Sequence, residues 1–327
     1  MKKKVLVTQP WDKSFVPLFD SFVKELEEKD VEVIVDTNDK TSLTEEEVLE
    51  RAQGLFAHIC GTDTWSAKAI DKADQLKIIS RIGVGYDTID IPYATQKGIV
   101  VTTTPGAGAE TVAEQAYSMM IAIARQLNKG DRLVKEGFWG RVYALSLYRK
   151  TLGIIGLGLI GKQLSRIVKG FDMNIIAYDP YPDVQFAKEN NIRLVELDEL
   201  LTKSDFISLH LPKSPQTVDL ISKRELAMMK KTAIIVNCAR GGIINELDLY
   251  NALKNEQIFG AGLDVFVNEP INMDNPLLTL NNVVLMPHNA GTTDEGKNKV
   301  VGAAFRNVIE FIDGKVPHGI KNPEVLK

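Results

Sequence analysis

Three glycines, one arginine and two of four histidines carry the chemistry that can be read in this 327-residue chain. The run Thr151-Leu152-Gly153-Ile154-Ile155-Gly156-Leu157-Gly158-Leu159-Ile160-Gly161 begins as an apolar strand, becomes G-x-G-x-x-G and continues at helical spacing. Gly156 permits a tight turn, Gly158 lets backbone approach a pyrophosphate, and Gly161 allows close helix–strand packing. Phosphates can then sit at the positive helix N-terminus, beside Leu159 and Ile160. A second apolar run, Met173-Asn174-Ile175-Ile176-Ala177-Tyr178, ends in Asp179, 18 residues after Gly161. That is close to the spacing of an acid that accepts hydrogen bonds from an adenosine ribose. An Asp there repels a 2′-phosphate, and Pro180 and Tyr181 offer no cation, so NAD is favoured over NADP.

An oxidoreductase using such a cofactor on an alcohol or carbonyl needs an acid/base and an anchor. Histidine titrates near operating pH and is the natural acid/base. His58 lies inside an apolar strand-like run and reads as a satisfied core or surface residue, and His318 falls in the polar tail. His210, before Leu211-Pro212, and His288, after Pro287, both follow expected strands, where open α/β sheets bind ligands. His288 has the small neighbours Asn289-Ala290-Gly291 and is the stronger candidate. His210 reads as shaping the cofactor pocket through Pro212. Arg240 follows Ile234-Ile235-Val236-Asn237-Cys238-Ala239 and precedes Gly241-Gly242. An arginine at the end of a buried strand needs an anion and can grip a carboxylate with two parallel bonds. Glu269 could fix the tautomer of His288, and spacing alone leaves an ordinary loop acid equally open.

These residues need a frame that presents strand ends to a ligand. Apolar runs of strand length alternate with helical patterns, as parallel βαβ units require. The first series is 5–8, 31–35, 55–60, 77–81 and 99–102. The second is 152–155, 174–178, 206–209, 234–237, 260–264 and 283–286, six strands, the count of a dinucleotide-binding sheet. Between them Thr104-Pro105-Gly106-Ala107-Gly108 leads into a long apolar helix over 110–128, and after Gly291 another long helix runs to about 312. Ser42-x-x-Glu45 or Thr44-x-x-Glu47 has capping-box spacing. The length predicts two domains. With 44% hydrophobic and 25% charged residues and a net charge of −4, the composition is that of a soluble globular protein. It offers no basic stripe for nucleic acid and no polybasic patch for membrane. Span 113–127 contains Glu114, Gln115 and Arg125 and is too short and polar to cross a bilayer. Lys2-Lys3-Lys4 precedes only a short strand, so no signal peptide is expected. Cys60 and Cys238 end apolar runs, the place of reduced buried thiols, and a cytoplasmic location is the default. No residue is assigned to a metal.

The blocks Asn237-Cys238-Ala239-Arg240-Gly241-Gly242, Gly262-Leu263-Asp264-Val265-Phe266 with Glu269-Pro270, and Pro287-His288-Asn289-Ala290-Gly291, after the glycine motif, resemble the D-isomer-specific 2-hydroxyacid dehydrogenases over nearly the whole chain. The resemblance implies Arg240 as substrate anchor, Glu269 as orienting acid and His288 as proton donor. It places Asp264 near the nicotinamide carboxamide and the amides of Val84 and Gly85, in Arg81-Ile82-Gly83-Val84-Gly85-Tyr86-Asp87, on the substrate carboxylate. The expected cofactor contacts are Gly156, Gly158, Leu159, Ile160, Gly161, Asp179, His210, Pro212, Thr217, Cys238, Ala239, Arg240, Asp264 and His288. The implied fold is α/β, a Rossmann dinucleotide-binding domain (102–289) inserted into a flavodoxin-like substrate domain (1–101 and 290–327). The implied reaction is NAD-dependent interconversion of a short D-2-hydroxy acid and its 2-oxo acid. The chain is most similar to the phosphoglycerate dehydrogenase and hydroxypyruvate or glyoxylate reductase branch, and a homodimer is expected. Some phosphoglycerate-specific relatives carry an arginine where this chain reads Cys60-Gly61-Thr62-Asp63, which removes a cation that could meet a phosphate. An NAD(H)-sensing transcriptional corepressor of the same fold is the alternative reading.

Overall fold

The computed structural model describes residues 2–8, 18–36 and 42–327. The chain divides into two compact units, Met1–Gly108 with Thr292–Lys327, and Ala109–Gly291. The first crossover falls after Gly108 rather than after residue 101, because the turn stays tied to the first unit. Thr103 N donates to Gly319 O at 3.0 Å and Thr104 N to Gly83 O at 2.9 Å.

In the first unit β1 (Lys3–Thr8), β2 (Val31–Asp36), β3 (Leu55–Cys60), β4 (Ile78–Arg81) and β5 (Val100–Thr102) form one parallel sheet in the order β2-β1-β3-β4-β5. This is the flavodoxin-like order, with its switch point between β1 and β3. Alternation along each strand feeds two separate cores. Val5, Val7, Ile59 and Ile78 pack with Phe19, Phe22 and Phe305 on one face, and Leu6, Cys60, Ile79 and Val101 with Leu43, Trp65 and Ile70 on the other. Helix Asp294–Ile312 is bound into the first core by Phe305, stacked on Phe22 at 5.4 Å and edge-on to Phe19 at 5.5 Å. Truncating such a buried ring costs about 3–5 kcal/mol.

In the second unit β6 (Thr151–Ile155), β7 (Asn174–Tyr178), β8 (Arg193–Leu194), β9 (Phe206–Leu209), β10 (Ile234–Asn237), β11 (Gly260–Leu263) and β12 (Val283–Leu285) pair in parallel as β12-β11-β10-β9-β6-β7-β8. Read from β8 this is the Rossmann order 3-2-1-4-5-6 with one further strand, and its switch point lies between β6 and β9. The sheet has one strand more than expected, since β8 is only 2 residues long and too short to show a period. The long helix expected over 110–128 is two, Ala109–Ala124 and Leu127–Lys135. Gln126 turns between them with φ 51°, a left-handed break that no glycine announces. Of the two capping boxes, Thr44 with Glu47 is the one that forms.

Candidate active site

The glycine turn at the end of β6 has the geometry its sequence requires. Gly156 takes φ 98°, and a Cβ there would lie 2.8 Å from the backbone carbon of His210, so only glycine fits between the ends of β6 and β9. A Cβ on Gly161 would stand 2.3 Å from Gly156 O, which sets how closely the helix Leu159–Ile167 approaches the strand. Around Gly158 there is open space, and this helix has no side-chain cap. Its first N–H groups therefore face outward as an anion site. Asp179 Oδ2 accepts from Leu157 N at 2.8 Å and Oδ1 from Tyr181 N at 2.8 Å, which aims the carboxylate along the turn with lone pairs to spare.

His210 closes the β9 side of this crevice. Among the described residues neither of its buried ring nitrogens has a hydrogen-bond partner, and burial pushes its pKa down to about 3. A buried imidazole with neither nitrogen satisfied is costly, and a ligand with hydroxyl groups can relieve that cost. Orphaned nitrogens, an uncapped helix start and a turn stripped of Cβ atoms fit a dinucleotide.

The turns after β10, β11 and β12 carry Arg240, Glu269 and His288. Asn237 clamps the turn after β10, its Oδ1 accepting from Ala239 N and its Nδ2 donating to Arg240 O, each at 2.9 Å. A Cβ on Gly241 would meet Phe266 O at 1.8 Å, so the turns after β10 and β11 touch through a bare glycine. Phe266 N donates to Glu269 Oε1 at 2.9 Å, and Glu269 Oε2 faces His288 Nδ1 at 2.6 Å. With Nδ1–H given to Glu269, Nε2 is left for a substrate. Burial pushes the Glu269 carboxyl up, but its bonds to His288 and Phe266 N and the charge of Arg240 outweigh this and hold it below the usual range. It stays an anion able to support imidazolium. His288 itself takes φ 54°, a backbone strain of about 1 kcal/mol. Asp264 supports that turn from three sides. Its O accepts from His288 N at 2.8 Å, Oδ1 from Asn289 N at 2.8 Å and Oδ2 from Ala290 N at 3.0 Å.

Asp264 is thus buried with both carboxylate oxygens engaged, and burial raises its pKa against those bonds. Cys238 points its Sγ at Met119 Sδ, 3.8 Å away in the core, so only its backbone and that of Ala239 line the edge. Thr217 Oγ1 accepts from Ser214 N at 2.7 Å and donates to Pro212 O at 2.8 Å, bracing the loop after His210. In the first unit the turn after β4 is pinned by Gly83 N donating to Thr104 Oγ1 at 3.0 Å. The next two amides, Val84 and Gly85, have no acceptor among the described residues. Sequence reasoning missed Asn237, Thr104 and the amide of Phe266. An Asn at the end of an otherwise apolar strand was the available signal for the first, and the other two act through contacts no local pattern displays.

His58 behaves oppositely to His210. It is fully buried in β3, where Trp65 Nε1 donates to its Nδ1 at 3.0 Å and its Nε2 meets Thr8 Oγ1 at 2.9 Å. Thr8 donates in turn to Asp63 Oδ2, and Asp63 Oδ1 accepts from Leu43 N at 2.6 Å. His58, Cys60 and Asp63 bring ligand-type atoms within 4.8 Å of one another, but these bonds occupy both His58 nitrogens. Burial, against the charge of Asp63, lowers the His58 pKa to about 4, so the ring is neutral.

Residues 117–290 match the family model described as D-isomer specific 2-hydroxyacid dehydrogenase, NAD binding domain. The chain is 41% identical over 324 residues to a D-3-phosphoglycerate dehydrogenase of Methanocaldococcus jannaschii, covering 98% of this chain and 59% of that one. It therefore spans less than two thirds of that relative. It is 42% identical over 272 residues to a glyoxylate reductase of Korarchaeum cryptofilum, with 81% and 82% covered. Among solved structures it resembles a D-lactate dehydrogenase from Aquifex aeolicus complexed with NAD and lactic acid. The TM-score is 0.85, with 26% identity over 98% of this chain and 99% of that one. No helix among the described residues is long and apolar enough to cross a membrane.

Proposed function

The chain belongs to the D-isomer specific 2-hydroxyacid dehydrogenase family, and we propose that it interconverts a short D-2-hydroxy acid and its 2-oxo acid, with NAD as the hydride carrier. The observation that carries this reading is the 2.6 Å pair of Glu269 and His288 beside Arg240, on the sheet that also bears the glycine turn. Bound NADH supplies hydride to C2 of the 2-oxo acid. Arg240 holds the carboxylate and carbonyl side of the substrate. His288 Nε2 gives its proton to the carbonyl oxygen as charge develops there, and Glu269 stabilises the imidazolium before transfer. In the reverse direction the same nitrogen removes the hydroxyl proton.

Glyoxylate, hydroxypyruvate and phosphohydroxypyruvate fit this reading, since the named relatives act as glyoxylate reductase and phosphoglycerate dehydrogenase. Nothing in the site favours a corepressor. Asp179 supports NAD over NADP. A homodimer is supported by the exposed apolar side chains of the second unit, Leu127, Val134, Phe138, Trp139 (90% exposed), Tyr143 and Tyr148; sedimentation equilibrium giving a monomer mass would remove it. A cytoplasmic location is supported by the two free, buried cysteines. The decisive experiment follows NADH absorbance with each 2-oxo acid. Turnover is expected, with NADH preferred to NADPH by about tenfold or more in kcat/KM. No oxidation of NADH by any 2-oxo acid would overturn the reading.

A further inference from the structure

The loop that carries Glu269 has little of its own to hold it. Residues 267–270 and 272–274 are exposed, and only Ile271 between them packs against the core of the second unit. Among the described residues no backbone group of 268–274 bonds to another element. Yet this loop brings Glu269 Oε2 to 2.6 Å from His288 Nδ1. A loop without a ladder places a side chain that closely only if its ends are fixed.

Both ends are fixed by one carboxylate. Glu246 opens helix Glu246–Lys254, where Asn245 caps the start by accepting from Asp248 N at 3.0 Å. Leu249 and Leu253 seat this helix in the core, which gives the clamp a firm base. Glu246 Oε1 accepts from Val267 N at 2.6 Å, before Glu269, and Oε2 accepts from Asn275 Nδ2 at 2.8 Å, after it. Asn275 is itself oriented, since its Oδ1 accepts from Leu277 N at 3.0 Å and Leu277 is fully buried. Its amide therefore presents only donors to Glu246. Val267 follows Phe266, whose N–H holds Glu269 Oε1. Two donors converge on Glu246, one on each oxygen, and a glutamine would offer a single acceptor there.

We propose that Glu246 is a positioning residue for the reaction: it closes the loop 267–275 around Glu269 and so sets the distance at which Glu269 meets His288. It acts through Glu269 and not on the substrate. This assignment rests on the 2-oxo acid reductase reading for its kinetics, but the placement of Glu269 can be read without turnover.

Glu246→Gln keeps one of the two bonds and Glu246→Ala keeps neither. In 2-oxo acid reduction kcat per folded molecule should fall by roughly 10-fold in the first and up to about 100-fold in the second, with KM for NADH unchanged, the scale of a small misplacement. In a Glu269→Gln background the same changes should cost no more than about twofold, because the group being positioned is gone. Glu47→Gln, which loosens the Thr44 capping box in the first unit, should lower the melting temperature and leave kcat unaltered. An equal loss in the Glu269→Gln background, or a like loss in Glu47→Gln, overturns the assignment. The readout without turnover is the titration of Glu269, followed by carbon-13 NMR of the carboxyl resonance that Glu269→Gln removes. Burial pushes that carboxyl up, while its bonds to His288 and Phe266 N and the charge of Arg240 hold it below the usual range; Asp264 is the other charged group acting on it. With the clamp cut, those bonds loosen and the titration should move up toward the ordinary glutamate range. Loss of the Glu246 charge alone would move it down, so an upward shift reports geometry. A Glu269 titration that does not rise in either Glu246 variant overturns the assignment. If it rises while no 2-oxo acid is reduced by the unmodified protein, the reductase reading fails and the clamp stands.

Discussion

The two parallel sheets of this chain have switch points of the same geometry and opposite hydrogen-bond accounts. In the first unit, between β1 and β3, Trp65 donates to His58, His58 meets Thr8, Thr8 donates to Asp63, and Asp63 also accepts from Leu43 N. Every polar atom named there has a partner inside the protein. In the second, between β6 and β9, the His210 nitrogens have none among the described residues, Gly158 faces open space and the following helix is uncapped. A crevice at strand ends is a binding site only when its polar groups are left for a ligand, and the closed network of the first unit has converted the same position into structure.

The largest effect that sharpens this contrast should come from the edge of the open sheet that carries His288. His288→Ala removes the proposed proton donor, and kcat should fall by roughly 10²–10⁴ while NADH affinity, read by fluorescence titration, stays close to its original value. His58→Ala should leave kcat per folded molecule almost unaltered. If the two variants lost activity equally, the first unit's network would belong to the chemistry and the contrast would collapse.

The next effect is on stability and concerns the closed network. His58→Ala leaves the Trp65 N–H and its neighbours unsatisfied in a dry site, costing about 3 kcal/mol in urea unfolding. The same residue sets a pH dependence. Its folded pKa of about 4 lies below the unfolded 6.5, so the unfolded chain binds the proton first. The stability it contributes is whole above pH 6.5 and is lost as pH falls toward 4, amounting to about 3 kcal/mol. His210, depressed to about 3, adds to the same acid limb. The slope between pH 6.5 and 4 should therefore be shallower in His58→Ala than in the unmodified protein. An identical slope would mean that His58 titrates normally and that its network is open to water.

Much of this was legible in the sequence, and the parts that were not share a cause. Strand–helix alternation and the glycine motif led to the observed sheets because each is a local pattern of period or spacing. Arg240 and His288 announce themselves by lying at expected strand ends, whereas Glu269, which spacing leaves as an ordinary loop acid, stands out only through the family resemblance. The sequence reads His58 as a satisfied core or surface residue, and the structure buries it, yet its partners Thr8, Asp63 and Trp65 come from separate segments and no spacing links them. Asp264, placed by resemblance near the nicotinamide, also carries the amides of the His288 turn, a role set by the neighbouring strands. The helix break at Gln126 escaped because the apolar pattern runs on past it.

The smallest effect tests the open switch point directly. Because neither His210 nitrogen is bonded, replacing the ring with an apolar side chain of similar size removes an unsatisfied polar group instead of breaking a network. His210→Leu should therefore leave the stability of the cofactor-free protein unchanged or raise it by up to about 1 kcal/mol, where His58→Leu lowers it. The loss should appear only with cofactor. If the ring serves the dinucleotide, His210→Leu should weaken NADH binding by about tenfold, equivalent to about 1.4 kcal/mol, and the thermal stabilisation that NADH confers should shrink accordingly. Calorimetric melting with and without NADH reads both quantities on the same samples. Should His210→Leu destabilise the cofactor-free protein as much as His58→Leu does, the His210 ring must be bonded in solution, and the two switch points would differ in their glycines rather than in their hydrogen-bond accounts.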